Sequence, residues 1–398
     1  QAMNQEQQHT GLLLLGVGGG GCRLATSVRA AYGEGLRVLC VDTDAQPLRT
    51  AAGAGIPTVL LGGSRLSGHG TGGDAILGRL AAQDDLESLC AQMQDARTVV
   101  ILTSLGGGTG GGATPEIIKA LHDMGLATIC FATRPFAFEG DIRAKLATRV
   151  LPLIEETADS LISIPLDDLF SDAREEMLAD AIQVAEGLIS AGVTLLWRLL
   201  TKPGFIQLDP ERLHAMVLTG GNARLGFGSA SGADRARHAV EALKSCSLLR
   251  KGDSLAKASA VMLGILAGPD LRLAEIGEVM DALRGHAKKG CLFEMGTVLD
   301  AQYEGRIDLV ALSFESWSAA VNQPAPTAKD AAPPTAAEPP VADTFPIQPG
   351  SRRSRVKGSK LSFGATGRGK FRDVEPTLHE GQDLDVPTYI RRGIILER

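Results

Sequence analysis

Leu105-Gly106-Gly107-Gly108-Thr109-Gly110-Gly111-Gly112-Ala113-Thr114-Pro115 is the stretch from which the fold can be read. Upstream lies the apolar run Thr98-Val99-Val100-Ile101-Leu102, which predicts a strand buried on both faces of a parallel sheet. Downstream, Glu116 to Met124 has the spacing of a helix. A glycine loop joining such a strand to a helix N-terminus aims several backbone N–H groups at one point, where the helix dipole adds positive potential. The ligand that fits is a phosphate. A Walker A loop would need Lys and then Ser or Thr after its last glycine, and no Gly-Lys-Ser or Gly-Lys-Thr run occurs in the chain.

A second loop of the same kind stands earlier. Gly11-Leu12-Leu13-Leu14-Leu15 predicts a short buried strand that runs into Gly16-Val17-Gly18-Gly19-Gly20-Gly21 and a helix from about Cys22. Taken alone, this also fits the dinucleotide fingerprint G-x-G-x-x-G, with Asp42 at the end of the next strand, Arg37 to Val41, where a ribose-binding acid would sit. An NAD-binding Rossmann enzyme therefore stands as a remote alternative, although such an enzyme has no need of the Gly106 loop.

The whole chain sets wide bounds. Its 398 residues exceed one typical domain, so two folded domains and a further segment are expected. A net charge of −6 and a pI near 5.7 give no general pull toward nucleic acid or anionic lipid. The six cysteines, at 22, 40, 90, 130, 246 and 291, lie scattered without a C-x-x-C pair, which predicts reduced thiols and a cytoplasmic protein. The seven histidines show no ligand spacing, so no protein-held metal site is expected. No window of about 18 apolar residues occurs, and the start lacks a signal-like segment. Gln1 and Ala2, ahead of Met3, are left out of the fold argument.

Gly-Gly-Gly-Thr-Gly-X-Gly at 106–112 resembles the signature of the tubulin/FtsZ superfamily, whose loop wraps the phosphates of GTP. Asp42-Thr43-Asp44-Ala45-Gln46-Pro47-Leu48 resembles the family's N-T-D-A-Q-x-L, and Gly68-His69-Gly70-Thr71-Gly72-Gly73 its third loop, with Thr71 and Asp74 departing from the usual Ala and Asn. Arg134-Pro135-Phe136-Ala137-Phe138-Glu139-Gly140-Asp141-Ile142-Arg143 is similar to K-P-F-x-F-E-G-x-x-R, which implies Glu139 on the ribose and Arg143 by the nucleotide. Four residues apart, the two could equally form an exposed ion pair. Asp159 to Pro165 resembles D-S-L-I-x-I-P, another strand. The resemblance thus implies a nucleotide held by Gly18, Gly19, Gly20, Gly21, Cys22, Arg23 (usually Asn), Asp44, Gly70, Thr71, Gly72, Gly106, Gly107, Gly108, Thr109 and Gly110.

From Asp180 to Leu200 the pattern is a long apolar helix. In the family a central helix here carries a guanine-reading Asn-Asp pair, and the best register puts Glu186 and Gly187 at those positions, while Leu166 replaces a nucleotide-touching Asn. Glu186 is expected to accept from guanine N1–H and the 2-amino group. Thr201 to Asp209 resembles T-R-P-G-L-M-N-V-D, the loop that FtsZ inserts into the nucleotide site of the next subunit. Asp209 matches the first catalytic acid there, Gln207 stands for the usual Asn, and Arg212 occupies the second acid position, with Glu211 one residue away as a substitute. Hydrolysis slowed by the missing acid is the expectation, since positioned acid–base groups contribute about 10²–10⁴-fold. Asp209 would also cap a following helix opened by Pro210.

Further on, Gly226 to Ala236 resembles G-x-G-x-A-x-G-x-D-R-A, followed by three apolar strands at about Ser259–Ala267, Cys291–Leu299 and Ile307–Ser313 and a helix over Leu273–Arg284. Pro, Ala, Thr and acids then dominate Asn322 to Pro349, and an Arg/Lys cluster at 352, 353, 355, 357 and 360 reads as solvated charge. The roughly 66-residue linker would span about 45 Å r.m.s.. Leu384-Asp385-Val386-Pro387-Thr388-Tyr389-Ile390-Arg391-Arg392 resembles the FtsZ C-terminal peptide L-D-I-P-x-F-L-R-K. That likeness implies docking of membrane-tethering and regulatory partners by Asp385, Val386, Pro387, Tyr389, Ile390 and Arg391.

The fold class expected is α/β: a Rossmann-like GTPase domain on a parallel sheet, a long central helix, a second smaller α/β domain and a disordered tail. The boundaries are a disordered 1–10, a nucleotide domain at 11–179, a central helix at 180–203, a polymerisation domain at 204–316, a linker at 317–383 and a peptide at 384–398. The resemblance implies a cytoplasmic GTPase of the division ring that binds GTP/GDP with Mg2+ on the phosphates and polymerises head to tail, each site completed by the next subunit. A polymerising scaffold with little or no hydrolysis is the alternative, favoured by Arg212, Leu166, Glu186, Gly111 and Arg23.

Overall fold

Along Leu12-Leu13-Leu14-Leu15 alternate side chains leave on opposite faces, Leu12 and Leu14 into one apolar cluster and Leu13 and Leu15 into another. Every residue of that strand is buried, which is why it carries no polar alternation. The protein is seen in a computed structural model, which describes residues 11–33, 35–169, 178–201, 216, 218, 221–315, 378–379 and 382–383.

The first six strands are β1 (Leu12–Val17), β2 (Val38–Asp42), β3 (Thr58–Leu60), β4 (Thr98–Ser104), β5 (Ala127–Arg134) and β6 (Ser160–Pro165). They pair in parallel in the order β3-β2-β1-β4-β5-β6. Between them the chain forms helices α1 (Gly18–Tyr32), α2 (Ala45–Gly53), the short α3 (Gly63–Leu66), α4 (Ala75–Ala91), α5 (Gly108–Asp123) and α6 (Asp141–Thr157). After β6 come the short α7 (Leu166–Leu169) and the long α8 (Leu178–Thr201). Residues of α1, α2 and α8 join the cluster on one face of the sheet, and residues of α4, α5 and α6 the cluster on the other.

The second half adds β7 (Gly221–Ser231), α9 (Arg235–Ser245), α10 (Asp253–Lys257), β8 (Ala260–Ala267), α11 (Leu273–His286), β9 (Leu292–Leu299) and β10 (Arg306–Phe314). The sheet runs on without a break as β6-β7-β10-β8-β9. Its seam is narrow: β6 meets β7 in three residue pairs, Ser160 with Gly221, Leu161 with Asn222 and Ile162 with Ala223. The sequence pointed to three strands in this half, and the structure holds a fourth, β7. Its glycines hid it, yet they are what let α9 lie close, since a Cβ on Gly228 would run into the Ala239 carbonyl. Arg235, 5% exposed, ties α9 to the start of α11 through Asp270 at 2.6 Å and Glu275 at 2.7 Å. The central helix, expected over Asp180–Leu200, spans α8 and lays Ile189, Val193 and Trp197 against the cluster that also takes in Met262, Leu266 and Leu312 of the second half.

The chain divides into two units between Thr327 and Ala328. In the second, the described residues are two short antiparallel strands, β11 (Leu378–His379) and β12 (Gln382–Asp383).

Candidate functional site

The strand order reverses between β1 and β4, which lie side by side while their connections leave in opposite directions. Open parallel sheets bind ligands beyond the C-terminal strand ends at such a point. Both glycine loops stand there. Gly18, with φ +72°, opens α1 directly after β1, and Gly107 precedes α5 after β4.

The two loops need glycine because backbone meets backbone. A Cβ on Gly21 would run into the Leu102 carbonyl oxygen, and one on Gly20 into the Ser104 side chain. One on Gly108 would strike Thr71 and the backbone of Asp74, so the third loop closes against the second. Hydroxyls tie the layers together: Thr43 and Thr109 share a 2.6 Å hydrogen bond, and Thr133 donates to Ser104 at 2.8 Å. Gly70 N–H donates to the Thr43 carbonyl at 3.1 Å. Asp42, 2% exposed, accepts from the N–H groups of Thr43 at 2.7 Å and Asp44 at 3.3 Å, and burial pushes its carboxyl above the usual carboxylate range.

A cavity of about 700 Å³ opens over these loops. One end is backbone: Gly18, Gly19, Gly20, Gly70, Thr71, Gly72, Gly107, Gly108, Thr109 and Gly110, with Asp44. The other is apolar, built from Leu24, Leu166, Ile182, Ala185 and Ile189, and there Arg23 of α1 forms an ion pair with Glu186 of α8. Along the side lie Phe136 and Phe138, their rings stacked with centroids 4.8 Å apart. Glu139 and Arg143 also line the cavity. Glu139 accepts from Phe136 N–H at 2.9 Å and from Arg143 Nη1 at 2.6 Å, so the ion pair and the cavity position occur together.

The geometry is that of a nucleotide cradle, and comparison with known proteins agrees. Residues 12–173 match the model of the tubulin/FtsZ family GTPase domain, and residues 221–314 that of the FtsZ family C-terminal domain. Over 302 residues the chain is 33% identical to the cell division protein FtsZ of Pseudomonas putida, covering 75% of each chain. The chain belongs to the FtsZ family. Against the FtsZ of Pseudomonas aeruginosa the identity is 34% over 302 residues, 75% of this chain and 76% of that one. An FtsZ dimer of M. jannaschii superposes with a TM-score of 0.71 at 29% identity, covering 76% of this chain and 87% of that one. CetZ from Methanosaeta thermophila, at 20% identity and a TM-score of 0.61 over 76% of this chain and 86% of that one, shares the fold.

Four residues expected at the nucleotide stand off the cavity wall of this FtsZ-family chain. Gly21 and Cys22 turn toward the sheet: Cys22 is 1% exposed, and its thiol donates to the carbonyls of Gly16 and Val41 at 3.6 Å. The neighbouring Cys40 thiol and burial raise its pKa, which makes it a packing group. Gly106, with φ +100°, is backed by Arg143 and Pro135, and Gly187 lies on the exposed side of α8. Conversely, Pro47, His69, Ser104, Thr133, Ile182 and Ile189 line the cavity without having been singled out for that role, and Asp42, singled out only for the NAD alternative, lines it as well. His69 and Ser104 stand in or beside glycine motifs, whereas Ile182 and Ile189 belong to the apolar pattern of the long helix. Asp209, Gln207, Glu211 and Arg212, and the peptide residues Asp385, Val386, Pro387, Tyr389, Ile390 and Arg391, lie outside the described residues. Among the described residues no group of three or more His, Cys, Asp and Glu is placed to hold a metal, and no helix is long and apolar enough to cross a membrane.

Proposed function

We infer that the chain binds GTP in this cavity and works as a tubulin-like GTPase of cell division. The observation that carries this is the meeting of two helix N-termini and three glycine-rich loops over one cavity at the switch point of the sheet. The triphosphate lies on the backbone N–H groups of Gly18 to Gly20 and Gly107 to Gly110, in the positive field of α1 and α5. The base reaches the apolar end between α1 and α8.

Magnesium fits the oxygen-rich surroundings of the loops, where the Asp44 carboxylate and the hydroxyls of Thr71 and Thr109 are the hard donors that such an ion takes. When bound through the phosphates it neutralises charge on the transferring group. The chain's own part is to fix the phosphates, to shut out water with the Phe136–Phe138 turn, and to bring an acid to the terminal phosphate. That acid is Asp209, supplied by the next subunit, with Gln207 and Glu211 beside it. Self-association is therefore head to tail, and the exposed Phe138 (66%) and Ile142 (86%) beside the cavity are apolar surface for a second copy to cover. Work at a mid-cell ring in the cytoplasm, with tethering proteins held by Asp385 to Arg391, completes the reading.

The test is GTP turnover against protein concentration, with pelleting on the same samples, for this chain and Asp209→Ala. Turnover per subunit that rises above a critical concentration and vanishes in the mutant supports the shared site. Filaments that pellet with GTP at background turnover would favour the scaffold, the reading that Arg212 at the second acid position supports. Arg212→Asp is then the change expected to restore hydrolysis.

A further inference from the structure

Over the β6–β7 seam lies a second cavity, of about 300 Å³, which shares no lining residue with the nucleotide cavity. Leu161 and Ser163 of β6 and Asn222 and Arg224 of β7 leave the sheet on that side. Arg134 at the end of β5 and Arg250 in the turn between α9 and α10 add two more guanidinium groups. Glu155, Asp168 and Glu315 line the cavity too, so its formal charge is balanced while its pairing is not. Glu155 accepts from the Asn222 amide, and Glu315 stands 3.7 Å from Arg224 Nε, beyond hydrogen-bond reach. Arg134 and Arg250 make no ion pair among the described residues. Burial and then the Arg250 charge hold the half-buried Arg224 guanidinium below its ordinary value, as for a cation short of anions.

The backbone under Arg250 carries a second sign. Arg250 and Lys251 have φ of +50° and +53°, the left-handed region, where a side chain is strained and a chain leaving a helix usually places glycine. Strain of that kind persists where the surrounding structure holds it for a purpose. We propose that this cavity binds a small tetrahedral dianion, inorganic phosphate, between Arg224 and Arg250, with the exposed Arg134 as a third cation. Guanidinium forks match phosphate oxygens in pairs, and such charged hydrogen bonds are about twice as strong as neutral ones. A dianion between Arg224 and Arg250 replaces one repulsion with two attractions. Arg134 belongs to the nucleotide half and the other two arginines to the second, so the bound anion fastens the halves across a seam of three residue pairs. Binding stands apart from the nucleotide reading above; only the source of the phosphate, release from GTP, rests on it.

The test is equilibrium dialysis of labelled inorganic phosphate, and melting with phosphate against chloride at matched ionic strength, on the full chain with GDP in excess to fill the loops. The parent is expected to bind phosphate and to melt higher with it than with chloride. Arg250→Gly removes the guanidinium and relaxes the left-handed turn, so it should melt no lower than the parent in chloride yet bind phosphate about 10-fold more weakly or worse. A merely structural Arg250 would not separate those two readouts. Asp168→Asn, which takes away a repelling carboxylate and leaves every arginine in place, should tighten phosphate by about 3-fold. Sulfate, of the same shape and charge, should compete. No phosphate bound to the parent, or equal phosphate binding by the parent and Arg250→Gly, would overturn the proposal. A chain that binds no guanine nucleotide but still loses phosphate with Arg250→Gly would remove the nucleotide reading and leave this site standing.

Discussion

Cys22 and Arg23 are neighbours that serve opposite surfaces, since successive helical residues turn by about 100°. The thiol packs under the loop while the guanidinium faces the cavity. The motif counts residues, so it made the glycine loops legible, but helix phase decides which of the residues after them face the ligand. Gly21 shows what the motif does encode: Gly21→Ala would push a methyl group into the Leu102 carbonyl. It is expected to cost about 1–3 kcal/mol in urea unfolding and to weaken GTP binding in titration. Arg235 offers a pH test. Its hydrogen bonds hold the Glu275 carboxyl below the usual range, against the pull of burial. A carboxyl depressed on folding contributes stability that is complete above its unfolded value and is lost as pH falls through the folded one. Arg235→Met, which removes the cation that Glu275 and Asp270 share, is expected to lower stability at pH 7. In melts at successively lower pH the gap to the parent should narrow below the ordinary carboxylate range.

Among the elements, the buried parallel strands were legible because burial on both faces leaves uninterrupted apolar runs, as in Val99 to Leu102. β7 was not, because Gly221-Asn222-Ala223-Arg224-Leu225-Gly226 reads as a turn; pairing with β10 along its length overrides local preference. The α4–α5 contact likewise depends on backbone proximity, since a Cβ on Gly112 would enter the Ala75 carbonyl. Trp197, 3% exposed on α8, packs in the cluster shared by both halves of the sheet. Trp197→Ala is expected to lower stability by about 3–5 kcal/mol in denaturant unfolding. An unchanged midpoint would show that α8 is not a structural spine.

At the scale of the whole molecule, the sequence indicated two α/β halves, and it could not show that one sheet passes through both. That continuity rests on the three residue pairs of the β6–β7 seam, whose short stretch carries no motif. For assembly, Ile142 stands 86% exposed next to cavity-lining Arg143. Ile142→Glu is expected to raise the critical concentration for pelleting by about 10-fold or more while the isolated subunit keeps its GTP affinity. A wall made of main chain at one end and of side chains at the other also bears on inhibition. A compound that grips only the loops, as a triphosphate mimic does, would meet amide groups that any protein with the same turns presents, and would not tell one division machinery from another. A compound that reaches past them to Arg23 and Glu186 would carry selectivity for this chain, and resistance to it would arise at those two codons.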